Sequence, residues 1–183
     1  MRNSLTALVC AGVISAAASA QTPRPSPPFT ILRAGAPQIQ LSQYKGKVVL
    51  LTFIHTTCPH CQDLTRVLSE VAPSYQPRGV QFLECAFNPD AGSLVPIFVQ
   101  QFQPPFPVGW SNDGAVRTYL QMPIFDTARP FYVPHMVFLD RKGVIRGDYP
   151  GESPFFQNPA RNIRAELDKL LAPETAERVA KKK

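Results

Sequence analysis

The segment Val48–Ile54 (VVLLTFI) is seven residues of almost unbroken apolar character, and a helical pattern begins five residues beyond it. A strand of this kind has no polar face, so it is stable only when layers pack on both sides of its sheet. Tyr44-Lys45-Gly46-Lys47 supplies the turn before it, and Pro59 opens the helix after it, which runs to about Tyr75. Proline is tolerated in a first helical turn because its missing N–H would find no intrahelical acceptor there. Leu64, Val67, Leu68 and Val71 recur at helical spacing and set the apolar stripe of that helix. A doubly buried strand feeding a helix predicts an α/β sandwich.

The rest of the chain extends this pattern. Phe29–Leu32 and Ile39–Leu41 read as short strands ahead of the buried one, and Val80–Phe87 as the strand after the helix. Ala91–Phe102 follows as a helix with Leu94, Ile97, Phe98 and Phe102 on one face, then a short strand, Phe106–Trp110, and a short helix, Gly114–Leu120. His135–Leu139 and Val144–Asp148 form a hairpin across Asp140-Arg141-Lys142-Gly143. Asn158-Pro159 caps a last helix whose stripe is Ile163, Leu167, Leu170 and Leu171. The expected architecture is a three-layer sandwich, a mixed central sheet flanked by helices, with extra strands at the N-terminal side.

Composition narrows the class. The chain has 183 residues, enough for one ordinary domain, and its net charge of +6 comes without a basic stripe. No nucleic-acid partner is expected, and Lys181-Lys182-Lys183 reads as a solvated tail. Twenty prolines exclude a coiled coil, ten glycines without a three-residue period exclude collagen, and four cysteines are too sparse for a disulfide scaffold. Met1-Arg2-Asn3, the uncharged stretch from Ser4 to about Ala17 and the small residues Ala18-Ser19-Ala20 have the three-part layout of a bacterial-type secretory signal. The expected organisation is therefore a signal peptide over residues 1–20, a proline-rich linker over 21–28, one domain over 29–173 and a basic tail over 174–183. Cleavage after Ala20 would remove Cys10 and leave no integral membrane segment, with an uncleaved anchor as the alternative; the expected location is the periplasm or an equivalent extracytoplasmic space, where disulfides persist.

Cys58-Pro59-His60-Cys61 lies between the buried strand and the helix. A thiol at a helix N-terminus faces the positive end of the helix dipole, which favours its thiolate. The two-residue spacing puts Cys61 one turn on, close enough to attack a mixed disulfide formed by Cys58, and this is the division of labour in thiol–disulfide exchange. Half of a zinc site has the same spacing, so the tetrapeptide alone leaves both chemistries open.

The stretch Gly46–Phe53 followed by CPHC, Phe106-Pro107-Val108 with Asn112-Asp113-Gly114, and Val133-Pro134 running on to Gly143 together resemble the TlpA/ResA-like branch of the thioredoxin superfamily, from roughly Gln38 to Gly151. The resemblance implies a thioredoxin-like fold and extracytoplasmic thiol–disulfide oxidoreductase activity on cysteine-containing substrate proteins, with a redox partner protein and no cofactor. It also implies a Cys58–Cys61 redox disulfide, a tuning role for Pro59 and His60, and a cis peptide at Val133–Pro134 that positions substrate. Several features depart from the family pattern. Thr57 replaces a tryptophan, and Thr52 stands where cytoplasmic thioredoxins keep a buried aspartate. Glu84 and Asp90 are carboxyls that stand in for that group or occupy a surface or edge place. The segment from Tyr119 to Pro134 is long and carries Phe125, Phe131 and Tyr132 towards the cysteines as a candidate substrate surface or as packing.

All three histidines, His55, His60 and His135, fall beside the CxxC or Pro134 in sequence. With two thiols they make a copper- or zinc-binding metallochaperone the alternative function, against a plainer reading in which His55 and His135 shape the pocket and modulate Cys58. No metal ligand is assigned. A peroxiredoxin-like antioxidant protein is a further alternative, but its threonine three residues and proline seven residues before the reactive cysteine are absent here: those places hold His55 and Leu51 before Cys58. A module that merely binds partners would not need two reactive thiols. Cys85 alternates with Leu83 and Phe87 on an apolar strand face and reads as a buried, inert thiol.

Overall fold

The computed structural model describes residues 22–123 and 131–173. The signal peptide, the basic tail and Phe125 lie outside the described residues. In chain order the elements are β1 (Arg24–Pro25), β2 (Thr30–Ile31), β3 (Ile39–Gln40), β4 (Val48–Ile54), α1 (Pro59–Tyr75), β5 (Val80–Ala86) and α2 (Ala91–Phe102). They continue with β6 (Val108–Trp110), α3 (Asp113–Tyr119), β7 (His135–Leu139), β8 (Val144–Tyr149) and α4 (Pro159–Leu171). A six-stranded sheet runs β1-β8-β7-β4-β5-β6, and β2 pairs with β3 as a separate ribbon. Strands β4, β5 and β6 are parallel, whereas β7, β8 and β1 are antiparallel to their neighbours. The sheet is mixed, as expected.

All seven residues of β4 are buried, because the strand is central and both sheet faces are covered. Side chains alternate along it: Val48, Leu50 and Ile54 join one apolar cluster with α1, α2 and α4, while Val49, Leu51 and Phe53 join a second with Phe29, Ile31 and α3. Each large side chain buried there contributes roughly 1.5–3 kcal/mol, which fixes the strand's register against its neighbours. The helices end where their sequences dictate. Asn158 accepts a hydrogen bond from the Arg161 N–H to start α4, Asn112 does the same for α3 from Ala115, and Gly79 takes φ +90° after α1 to turn the chain into β5.

Two expectations change. The proline-rich stretch is extended, but it is not simply a linker: Arg24–Pro25 pairs with Val144–Ile145 at the sheet edge. Proline suits an edge strand, which needs only part of its backbone bonded. The buried face of α2 is also rotated from the expected one. Ala91, Val95 and Phe98 pack inward, whereas Ile97 is 59% exposed. Pairing through residues 91, 95 and 98 brings Gly92 against the Trp110 ring on β6.

Candidate active site

The end of β4 delivers the chain into a short loop that is pinned at one point. The Thr56 N–H and hydroxyl both donate to Asn88 Oδ1, at 2.9 and 3.3 Å, and the Gln62 side-chain amide donates to the Thr56 carbonyl at 2.9 Å. Asn88, immediately beyond β5, thus ties the loop to the neighbouring strand. Cys58 follows as the N-cap of α1 with extended backbone, and Pro59 opens the helix. Cys58 is half-buried and Cys61 fully buried; both thiols are free, as is Cys85.

The Val133–Pro134 peptide bond is cis, and the Val133 carbonyl faces Cys58 Sγ at 4.0 Å. Beside it opens a cleft of about 390 Å³, lined among others by His60, Leu64, Val67, Val133, Pro134 and Phe156. Cys58, Pro59, His60, Cys61, Val133 and Pro134 therefore gather at one end of the sheet, where α1 begins and β7 starts. Burial pushes the Cys61 thiol well above its usual range, opposed by a backbone hydrogen bond from His55 and reinforced by Cys58 and Glu84. Cys85, buried on the other sheet face, is raised by desolvation alone. It has the inert character its strand pattern predicts.

The histidines do not converge on the thiols. Only His60 lines the cleft. His55 sits edge-on to the Phe87 ring at 4.5 Å, and burial lowers its pKa against an opposing pull from Asp113. His135 is turned to the opposite face of the sheet from α1, against Phe53 and Phe131. There its Nε2–H donates to Asp148 at 2.6 Å, and the other Asp148 oxygen accepts from Arg24 at 2.7 Å. His135 thus does not shape the pocket beside Cys58: with Val137 it projects to the sheet face away from α1, although Val133, just before the strand, stays beside the thiol. Among the described residues, no group of three or more His, Cys, Asp and Glu side chains is arranged to hold a metal ion. Phe131 stacks on Phe87 with ring centroids 4.9 Å apart, which makes it a packing residue, and Tyr132 is half-exposed.

The two candidate carboxyls separate cleanly. Asp90 is exposed at the start of α2 with φ +59°. Glu84 is completely buried beneath α1, and desolvation raises its pKa to about 8 although a hydrogen bond with Thr65 pulls the other way. The Asn88 pin and the His135–Asp148–Arg24 network carry no local sequence signal, since each joins residues more than ten positions apart.

Comparison with known proteins adds to this geometry. The model of the AhpC/TSA family matches residues 23–147. The thiol-disulfide oxidoreductase ResA of Bacillus thuringiensis subsp. konkukian is 28% identical over 129 residues, 69% of this chain and 68% of that protein. Among solved structures, a thioredoxin-family thiol:disulfide interchange protein from Chlorobium tepidum TLS superposes with a TM-score of 0.64 at 19% identity, covering 83% of this chain and 99% of the other. A secreted Mycobacterium tuberculosis disulfide oxidoreductase homologous to E. coli DsbE has a TM-score of 0.56 at 21% identity, over 75% and 95% of the two chains. The fold is thioredoxin-like.

Proposed function

The chain belongs to the AhpC/TSA family, and from that premise we propose that it is an exported thiol–disulfide oxidoreductase that exchanges its Cys58–Cys61 dithiol with the disulfide of a substrate protein. The observation that carries this reading is the asymmetry of the pair: Cys58 caps α1 and reaches solvent, and Cys61 lies buried one turn below. Cys58 Sγ attacks a substrate disulfide, one substrate sulfur leaves as thiolate, and a mixed disulfide results. Cys61 then attacks Cys58 Sγ, the electron pair leaves on the second substrate sulfur, and a Cys58–Cys61 disulfide remains. The same steps in reverse oxidise a dithiol.

The flanking residues suit these steps. The Val133 carbonyl beside Cys58 and the apolar wall of Val67 and Phe156 offer backbone and side-chain contacts to an extended substrate segment, with Pro134 holding the turn. An imidazole at His60 favours the reduced pair electrostatically and makes the disulfide more oxidising. The signal-peptide pattern of residues 1–20 supports an extracytoplasmic location, as does the secreted relative from M. tuberculosis. Among the described residues no helix is long and apolar enough to cross a membrane. The curated relative is named for disulfide exchange rather than peroxide reduction, and the absent threonine and proline agree with that. The test is a trapping experiment: Cys61→Ala should accumulate mixed disulfides with protein substrates, and Cys58→Ala should abolish exchange. Exchange that persists in Cys58→Ala overturns the assignment.

A further inference from the structure

Resolution of the mixed disulfide needs the Cys61 proton to go somewhere, and burial makes that thiol hard to ionise. Thr52, buried on β4, carries no carboxylate to take it. In parallel register Thr52 lies opposite Glu84 on β5. Both residues point to the α1 face, since Leu50 and Ile54 on one strand and Phe82 and Ala86 on the other belong to the cluster under α1. Glu84 Oε2 and the Thr52 hydroxyl are both buried and, among the described residues, without a hydrogen-bond partner. Two uncompensated polar atoms side by side in an apolar layer cost stability, so they need an explanation other than packing.

Thr65 connects Glu84 to the backbone of Cys61. Its hydroxyl lies 2.9 Å from Glu84 Oε1 and 3.0 Å from the Cys61 carbonyl oxygen. A hydroxyl has one hydrogen and donates to one acceptor at a time. When Glu84 is a carboxylic acid, it donates to Thr65 and Thr65 donates to the Cys61 carbonyl. When Glu84 is a carboxylate, the Thr65 hydrogen turns to it and the carbonyl loses that bond. The protonation state of Glu84 is thereby wired to the helical turn that bears Cys61.

We propose that Glu84, supplied by the neighbouring strand, is the proton-holding residue for Cys61 in the resolving step, acting by charge and through Thr65. This rests on the exchange reading above. In the step, the Cys61 proton passes to the Glu84 carboxylate as the Cys61–Cys58 bond forms. The Cys58–substrate bond breaks, and its electron pair leaves on the substrate sulfur. Cys61 is the titratable group that faces Glu84 from α1, with Cys58 beyond it. Among the described residues, its neighbours across the sheet are not titratable: Thr52 on β4 and Val108 on β6.

Ellman's reagent separates the two steps in the full chain. Reduced protein should release one thionitrobenzoate as Cys58 attacks and a second as Cys61 resolves the adduct. The departing thiol is ionised throughout, so the second phase between pH 6 and 10 reads the groups around Cys61. In the wild type that phase should rise through an inflection near pH 8. In Glu84→Gln the inflection should vanish and the second phase should slow at least about ten-fold at pH 8.5, with the first phase unchanged. Thr65→Val, which removes the hydrogen bond that favours the carboxylate, should move the inflection to higher pH. An unaltered second-phase profile in Glu84→Gln overturns the role of Glu84 while leaving disulfide exchange intact. Absence of the second release in the wild type overturns both.

Discussion

Replacing Asp148 by alanine removes the one carboxylate that joins the N-terminal edge strand to the strand following the cis-proline. Arg24 and His135 both bond to it, at 2.7 and 2.6 Å, and all three side chains are nearly enclosed: Arg24 is 7% exposed, Asp148 11% and His135 5%. Burial by itself raises the Asp148 pKa, but hydrogen bonds and charge from His135 and Arg24 outweigh it and hold the carboxyl below its usual value. Among the described residues, two Arg24 nitrogens and His135 Nδ1 already lack partners and Asp148 is the carboxylate paired with Arg24, so losing Asp148 leaves a buried guanidinium unpaired there. Breaking a buried pair from one side costs about 3–5 kcal/mol. For a chain of this length that corresponds to a fall in Tm of about 6–20 °C at pH 7, measured by calorimetry or circular dichroism. Because the folded-state pKa is depressed, this contribution is present above the unfolded aspartate pKa and disappears as pH falls through the folded value. The difference between wild type and Asp148→Ala should therefore shrink under acid conditions. Arg24→Met and Asp148→Ala combined should cost less than the sum of the two singles. A loss below about 1 kcal/mol, or strict additivity, refutes the network as a clasp.

Two other perturbations follow from packing and burial. A Cβ added at Gly109 meets the Leu32 carbonyl oxygen inside van der Waals contact and Ile31 Cγ2 at 2.6 Å; Gly109→Ala should lower stability by about 1–3 kcal/mol in denaturant titration, since backbone stands in the way. Glu84 has its folded pKa raised from 4.5 to about 8, so stability is full below the unfolded value and falls as pH rises towards the folded one, by up to roughly 5 kcal/mol for a shift of that size. Urea midpoints compared at pH 5 and pH 8 should show that fall in the wild type and a much smaller one in Glu84→Gln.

The elements that could be read in advance are those whose local pattern and tertiary place agree. Val48–Ile54 is apolar throughout because both faces are covered, and Pro59–Tyr75 starts at a proline and ends before a glycine turn. The same local logic placed Cys58 and Cys61 at a helix N-terminus. What escaped depends on long-range partners. Arg24 sits in a proline-rich stretch that looks unstructured until β8 provides both a strand edge and Asp148. Ile97 looks like a core residue on a helical wheel, but β6 meets α2 along a different stripe. The histidines lie beside the CxxC or Pro134 in sequence, yet strand alternation sends His135 through the sheet to the far face. Glu84 could be named as a candidate from the apolar residues around it; its link to Cys61 through Thr65 spans nineteen positions and is visible only once α1 lies over β5.

The central claim is that Cys58 and Cys61 form one working redox couple. An equilibrium redox titration of the reduced protein, read by alkylation and mass, tests it most directly. The account predicts a single two-electron transition confined to these two thiols, with a midpoint between about −270 and −120 mV, while Cys85 stays reduced. A protein in which the 58–61 disulfide does not form across that range, or in which Cys85 takes part in the transition, would contradict it.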